Sequence, residues 1–300
     1  MNRRDFLKTT FIAGAALTIP GNSNLFIQAL NAAEKNDLVV ASGPSPAAIT
    51  KAAIEGLGGI KSFIARGDVV VVKPNIGWDR LPAYAATTNP EVVAAVVALC
   101  YEAGAKQVKV FDHAVVDPRR CYKQSGIAAA ATAAGGSVSF VDDRKFRDMK
   151  LPGVALKSWP LYTEAIEADK FINIPVAKTH GLSTLTLGMK NLMGIMGGSR
   201  GRIHQRLDGS LVDLAMTVKP ALVIIDAVRI LTANGPQGGD LADVKKLDTI
   251  IAGRDQVAAD AYGATLFGMK GSEIGSVVAG HKAGLGIMDL ARLKIKKINV

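Results

Sequence analysis

DVVVVKPN, residues 68–75, decides the fold of this chain. Four β-branched residues in succession cannot alternate between an apolar and a polar face. Such a run suits a strand buried on both sides, as in a parallel sheet covered by helices. Pro74 removes a sheet donor and holds Lys73 extended, so Lys73 and Asn75 stand at the strand's C-terminal end. That end is either a ligand-facing edge or a plain strand-terminating turn.

Working outward, strand and helix signals alternate along the chain. Strands are expected at Leu38–Ala41, Gln107–Phe111, Ser137–Val141, Phe171–Val176, Leu222–Ile225, Thr249–Ala252 and Lys294–Ile298. Helices are expected at Pro46–Leu57, Pro90–Ala103, Gln124–Ala134 and Gln256–Phe267. Asn89 before Pro90 reads as a helix cap with proline at the first position. Helix-sized crossovers between buried strands imply an α/β fold, with a largely parallel or mixed sheet and helices on both faces. No Pro/Ser-rich tract, charge block or repeat marks a boundary, so residues 34–300 read as one α/β domain. The polar stretch Asp142–Leu156 reads as a surface excursion.

The chemistry concentrates in KTHGLSTLTLGMKNLMG, residues 178–194. It directly follows the strand expected at Phe171–Val176, and ligands bind at strand ends in open α/β sheets. Lys178, His180, Lys190 and Asn191 stand among glycines that permit close backbone approach. A helix or partial helix is expected from Leu187 to Met196. Arg200, Arg202, His204 and Arg206 follow at alternating positions. Together these groups suit a carboxylate or phosphate. Thr88 precedes the helix at Pro90, whose free amides either hold an anion or are simply capped. Asp112-His113 ends a strand as an acid–base candidate, although neighbours on a strand face opposite ways. Asp226 ends another strand. Asp255 reads as a helix cap, and Asp260 one turn on needs a partner if buried. Asp226 and Asp260 with a histidine are the candidate metal ligands, without any compact spacing such as HxxxH. The loop Asn234–Gly239 reads as a lid or a turn.

Asn2-Arg3-Arg4-Asp5-Phe6-Leu7-Lys8 resembles the twin-arginine export motif. The apolar run from Thr9 to Pro20 is shorter than the roughly 20 residues a membrane span needs. It fits the apolar region of a removable leader ending near Ala33. The expectation is passage through the twin-arginine translocase to the periplasm or another exported location. Losing Arg3, Arg4, Lys8 and Asp5 takes the formal charge from +10 to +8. That excess favours an anionic partner or an acidic membrane surface, or simply serves solubility. No basic run or aromatic-interleaved basic patch points to nucleic acid. Cys100 and Cys121 are the only cysteines. Two thiols cannot ligate an iron–sulfur cluster alone, while a single disulfide stays open.

Taken in order, VVVKPN (70–75), TNPEVV (88–93), the block ending in NLMG at 194, His204, VIIDAV (223–228), Gly235-Pro236 and GRDQVAADAYG (253–263) resemble the family catalogued as domain of unknown function 362. Members of that family often carry ferredoxin-type cysteine motifs, which this chain lacks. The resemblance therefore locates a site without naming a reaction.

Two readings follow. In the first, the protein is an enzyme or cofactor protein that takes a small anionic ligand. Lys73, Lys178 and Lys190 clamp the anion with Asn75, Thr88, Asn191 and Arg202, and His180 or His204 handles a proton. Asp226 or Asp260 orients the histidine or holds a metal ion. In the second, the protein binds without turnover, as a maturation partner of a redox enzyme. No Gly-x-Ser-x-Gly elbow, P-loop or zinc-protease motif is present, which disfavours those chemistries.

Overall fold

The valine run is the centre of the main sheet. The computed structural model describes residues 36–153 and 155–300; the leader read at residues 1–33 lies outside the described residues. Leu38–Ser42 forms β1, Pro46–Gly56 α1, Val69–Pro74 β2, Pro90–Glu102 α2 and Gln107–Val110 β3. Helices α3 (Pro118–Gln124) and α4 (Ile127–Ala133) lead to the short β4, Ser137–Val138. After β5 (Phe146–Lys150), β6 (Ser158–Tyr162) and α5 (Thr163–Ile166) come β7 (Lys170–Ile174), β8 (Val176–His180) and β9 (Thr184–Thr186). The rest comprises α6 (Gly188–Asn191), α7 (Leu207–Val218), β10 (Leu222–Leu231), β11 (Val244–Gly253), α8 (Gln256–Thr265), α9 (Gly275–Lys282) and β12 (Ile295–Asn299).

Strand order across the main sheet is β12-β1-β11-β10-β7-β2-β3-β4. β2 pairs in parallel with β7 and β3, bringing their C-terminal ends to one edge. β11 runs antiparallel to both its neighbours, so the sheet is mixed. Both faces are buried. Val70 and Val72 pack with Ile172, Ile174, Ile224 and the α1, α2 and α4 side chains. The alternate residues Val71, Phe171, Val223 and Ile225 pack with α7, α8 and α9. This two-sided core is why β2 needs an unbroken apolar run.

Several elements differ from the sequence expectation. Ser125 and Gly126, the latter at φ +71°, split the expected Gln124–Ala134 helix into α3 and α4. The strand expected through Val176 breaks at Pro175, which has no N–H for the ladder, and resumes as β8. β10 continues to Leu231, so Asp226 lies within the strand rather than at its end. The excursion at Asp142–Leu156 contains β5, which pairs with β6 in a separate two-stranded sheet. Cys100 and Cys121 are free, buried thiols.

Candidate functional site

The C-terminal ends of β2, β7 and β3 meet at an ion pair. Lys73 Nζ lies 2.7 Å from Asp112 Oδ1, and both residues are buried. Nζ also donates to Pro74 O at 2.8 Å and to Asn191 Oδ1 at 3.1 Å. All three ammonium hydrogens are thereby used. Asp112 Oδ2 accepts from the Ile76 amide at 2.6 Å. A buried lysine stays protonated only with such partners, because burial alone pulls its pKa down while Asp112 pushes it back. Gly194 lies directly against this pair: a Cβ there would be 1.8 Å from Asp112 Oδ1 and 2.6 Å from Lys73 Nζ.

Asn191 ties the pair to the rest of the site. Its Oδ1 also accepts from Asn75 Nδ2 at 3.0 Å, and its Nδ2 donates to Asn173 Oδ1 at 2.8 Å. Asn173 in turn donates to Gly188 O at 2.8 Å. Asp260, on α8, accepts from the Gly188 and Met189 amides at 2.6 and 2.9 Å. This carboxylate fixes the start of α6, and α6 carries Lys190 and Asn191. A polar chain thus runs unbroken from α8 to β2, as buried polar groups require.

Beyond this chain lies a cavity of about 440 Å3, lined among others by Asn75, Asp112, Lys178, Lys190, Arg200 and His204. Lys178, on β8, is buried and donates to Asn75 Oδ1 at 3.2 Å and Ala86 O at 2.5 Å. Burial lowers its pKa to about 7, with Lys190 and Lys73 adding to the effect against Asp112. Lys190 makes no hydrogen bond or ion pair to another described residue, and burial followed by the Arg200 charge lowers it to about 8. Arg200 donates to the carbonyls of His113 and Ala114 at 2.6 and 2.8 Å.

Two histidines stack beside these cations, with ring centroids 5.9 Å apart and planes at 18°. His180 Nδ1 accepts from the Leu182 amide at 3.1 Å, which leaves the hydrogen of the neutral ring on Nε2. Burial, then Lys190, holds its pKa down to about 3. His204 is the opposite tautomer: Nδ1 sits 2.8 Å from Gly201 O and donates to it. In the neutral ring its Nε2 is a lone-pair acceptor, buried and without a hydrogen-bond partner among the described residues. His113 Nδ1 is bonded to Met196 O at 2.8 Å.

The cavity thus gathers Asn75, Lys178, His180, Lys190, Asn191 and His204 from the sequence candidates. Asp112, His113 and Arg200 line it as well, whereas Lys73, Thr88, Arg202, Asp226 and Asp260 do not. Lys73 is spent on Asp112 and behaves as a structural cation. Thr88 is buried, accepting from Asn75 N at 2.8 Å and donating to Ile174 O at 2.7 Å. Arg202 is exposed and absent from the lining, whereas Arg200 is present. Asp226 accepts from the Asn89 and Val228 amides at 2.6 and 3.0 Å. Burial raises Asp226 to about 6 and Asp260 to about 7. Each carboxylate is thus occupied by backbone N–H groups. Among the described residues, no three His, Cys, Asp or Glu side chains are grouped as metal ligands.

A family model described as domain of unknown function (DUF362) matches residues 70–265. The chain belongs to this family. A thylakoid-associated protein of Synechocystis sp. (strain ATCC 27184 / PCC 6803 / Kazusa) is 31% identical over 240 residues, which cover 77% of this chain and 73% of that protein. Among solved structures, the lactate racemase apoprotein of Thermoanaerobacterium thermosaccharolyticum matches at 12% identity and a TM-score of 0.44. A protein of Thermotoga maritima matches at 9% identity, also with a TM-score of 0.44. Both cover 76% of this chain, which spans 56% and 60% of the respective structures. Every cavity residue named above falls within the DUF362 match. Asn173 and the apolar cavity residues Trp78, Val115 and Leu182 escaped the sequence reading. A polar Asn173 inside an apolar strand was the available signal; the apolar loop residues offered none.

Proposed function

We propose that this cavity binds a small carboxylate or phosphate and transfers a proton on it. The carrying observation is uncompensated charge. Lys178, Lys190 and Arg200 line one cavity, while its one carboxylate, Asp112, is taken by Lys73. Unpaired cations around a partly closed space favour an anion strongly, because few water dipoles compete there. Lys190, lacking a partner among the described residues, is the anion's first contact. Lys178 has one N–H left for it.

The proton handling falls to His204 and Lys178. His204 Nε2 has a free lone pair, so it accepts the proton. Lys178, with its pKa near 7, gives up or takes a proton at little cost near neutrality. His180, held neutral, donates its Nε2–H as an orienting hydrogen bond. Calorimetric titration of the full-length protein with acetate and with phosphate tests the binding step. Binding of either to wild type, and its loss in Lys190→Ala, is the expected result. No binding of either anion, nor of any longer-chain carboxylate or phosphate, removes the reading. Binding together with an intact Kd and no turnover of any bound acid by His204→Gln or wild type would leave a purely binding role.

For the leader, we infer export by the twin-arginine route, supported by the order of paired arginines, Phe6, Leu7, Lys8 and the apolar run. Replacing Arg3 and Arg4 by lysine should retain the precursor in the cytoplasm. Unchanged export would remove that assignment.

A further inference from the structure

The cavity reverses the usual distribution of side chains. Lys178 lies deepest of its cations, 1% exposed, with Lys190 and Arg200 half-buried. Two of its apolar residues are shallow: Leu182 is 69% exposed and Val115 57%. These two are the most exposed of the large apolar side chains among the described residues, and both line this one cavity. Single exposed apolar residues are ordinary on protein surfaces. Here they stand with half-buried Trp78 and Pro236 around one opening. Met193 lines the same space.

Volume points the same way. A water molecule's share of liquid volume is about 30 Å3, so a cavity of about 440 Å3 far exceeds an inorganic anion or acetate. Charge at the bottom and apolar surface at the mouth fit a ligand with the same polarity.

We propose that the ligand is an amphiphilic anion: a carboxylate or phosphate head on an aliphatic or aryl body of several carbons. The proposal rests on the anion reading above and adds the second half of the ligand. The head meets Lys178, Lys190 and Arg200. The body lies against Trp78, Val115, Leu182 and Pro236.

The test is a calorimetric series on the full-length protein. One arm uses acetate, butyrate, hexanoate and octanoate; the other compares phosphate with hexyl phosphate. Burying a methylene should tighten binding about threefold to fourfold. Octanoate should then bind about 100-fold tighter than butyrate. The arm with the steeper gain identifies the head group. Leu182→Ser combined with Val115→Ser, both at exposed positions, should weaken octanoate about tenfold and leave acetate unchanged. Equal affinities for acetate and octanoate, or a double variant that weakens both alike, would overturn the amphiphilic ligand while the anion reading stood. Absence of binding by every member of both arms would overturn both.

Discussion

Lys73 and Asp112 form a buried 2.7 Å ion pair at the cavity wall, in which each charge is met by the other. The pair is a foundation: it fixes the ends of β2 and β3 relative to one another and receives Asn191 from α6. Breaking a buried pair from one side strands the other charge. Asp112→Asn should therefore cost about 3–5 kcal/mol. Replacing both by apolar residues, Lys73→Met with Asp112→Leu, should cost less than the two single changes added. Urea denaturation of the four proteins measures the coupling, and additive costs would contradict it.

Gly194 seats this pair. A methyl group there would overlap Asp112 Oδ1 and crowd Lys73 Nζ. Neither partner can yield without losing the other. Gly194→Ala is expected to destabilise by about 3 kcal/mol, the upper part of the usual overpacking range. A Tm within a degree or two of wild type would mean that the pair moves aside freely.

Lys190 should behave in the opposite way. It has no hydrogen-bond or ion-pair partner among the described residues, so Lys190→Ala should leave stability unchanged or slightly raised. Its loss should weaken anion binding by about tenfold or more, as expected for a charge-assisted contact. A variant equally unstable and equally binding would show that Lys190 serves the fold.

Anion binding should depend on pH with a definite sign. The pKa of Lys178 is lowered to about 7 and that of Lys190 to about 8. The charged forms bind the anion, so affinity is full below pH 7 and falls as pH rises through 7 and 8. The bound anion should raise both pKa values, making binding take up protons near neutrality. Titration at pH 6 and pH 9 in buffers of different ionisation heat measures both effects. Affinity that increases with pH would exclude the lysines as the anion's partners.

The sheet was legible because its signal is compositional. Val69–Val72 can only be buried on both faces, and Asn89-Pro90 announces a helix start. The antiparallel run of β11 was not legible: its apolar half, Thr249–Ala252, reads the same in either direction. The site was legible as a cluster, since Lys178, His180, Lys190 and Asn191 are close in sequence. Their roles were not. Whether a lysine holds a ligand or a carboxylate depends on what comes from elsewhere, and Asp112 is 39 residues after Lys73 in the chain. Arg200 and Arg202 likewise cannot be told apart without knowing which way the turn between Gly198 and Leu207 faces.

The break at Pro175 has one further consequence. β8 starts afresh after it, and its alternation puts Lys178 and His180 on the cavity side. Thr179, between them, turns the other way and accepts a hydrogen bond from the Gly235 amide. The count of residues between Pro175 and Lys178 is therefore a setting in its own right. Exchanging Val176 or Ala177 for another apolar residue changes only packing. Deleting either one would rotate the whole segment by a strand step, burying Thr179's position in the cavity and turning both basic groups away. Over this short stretch, chain length is held more tightly than side-chain identity.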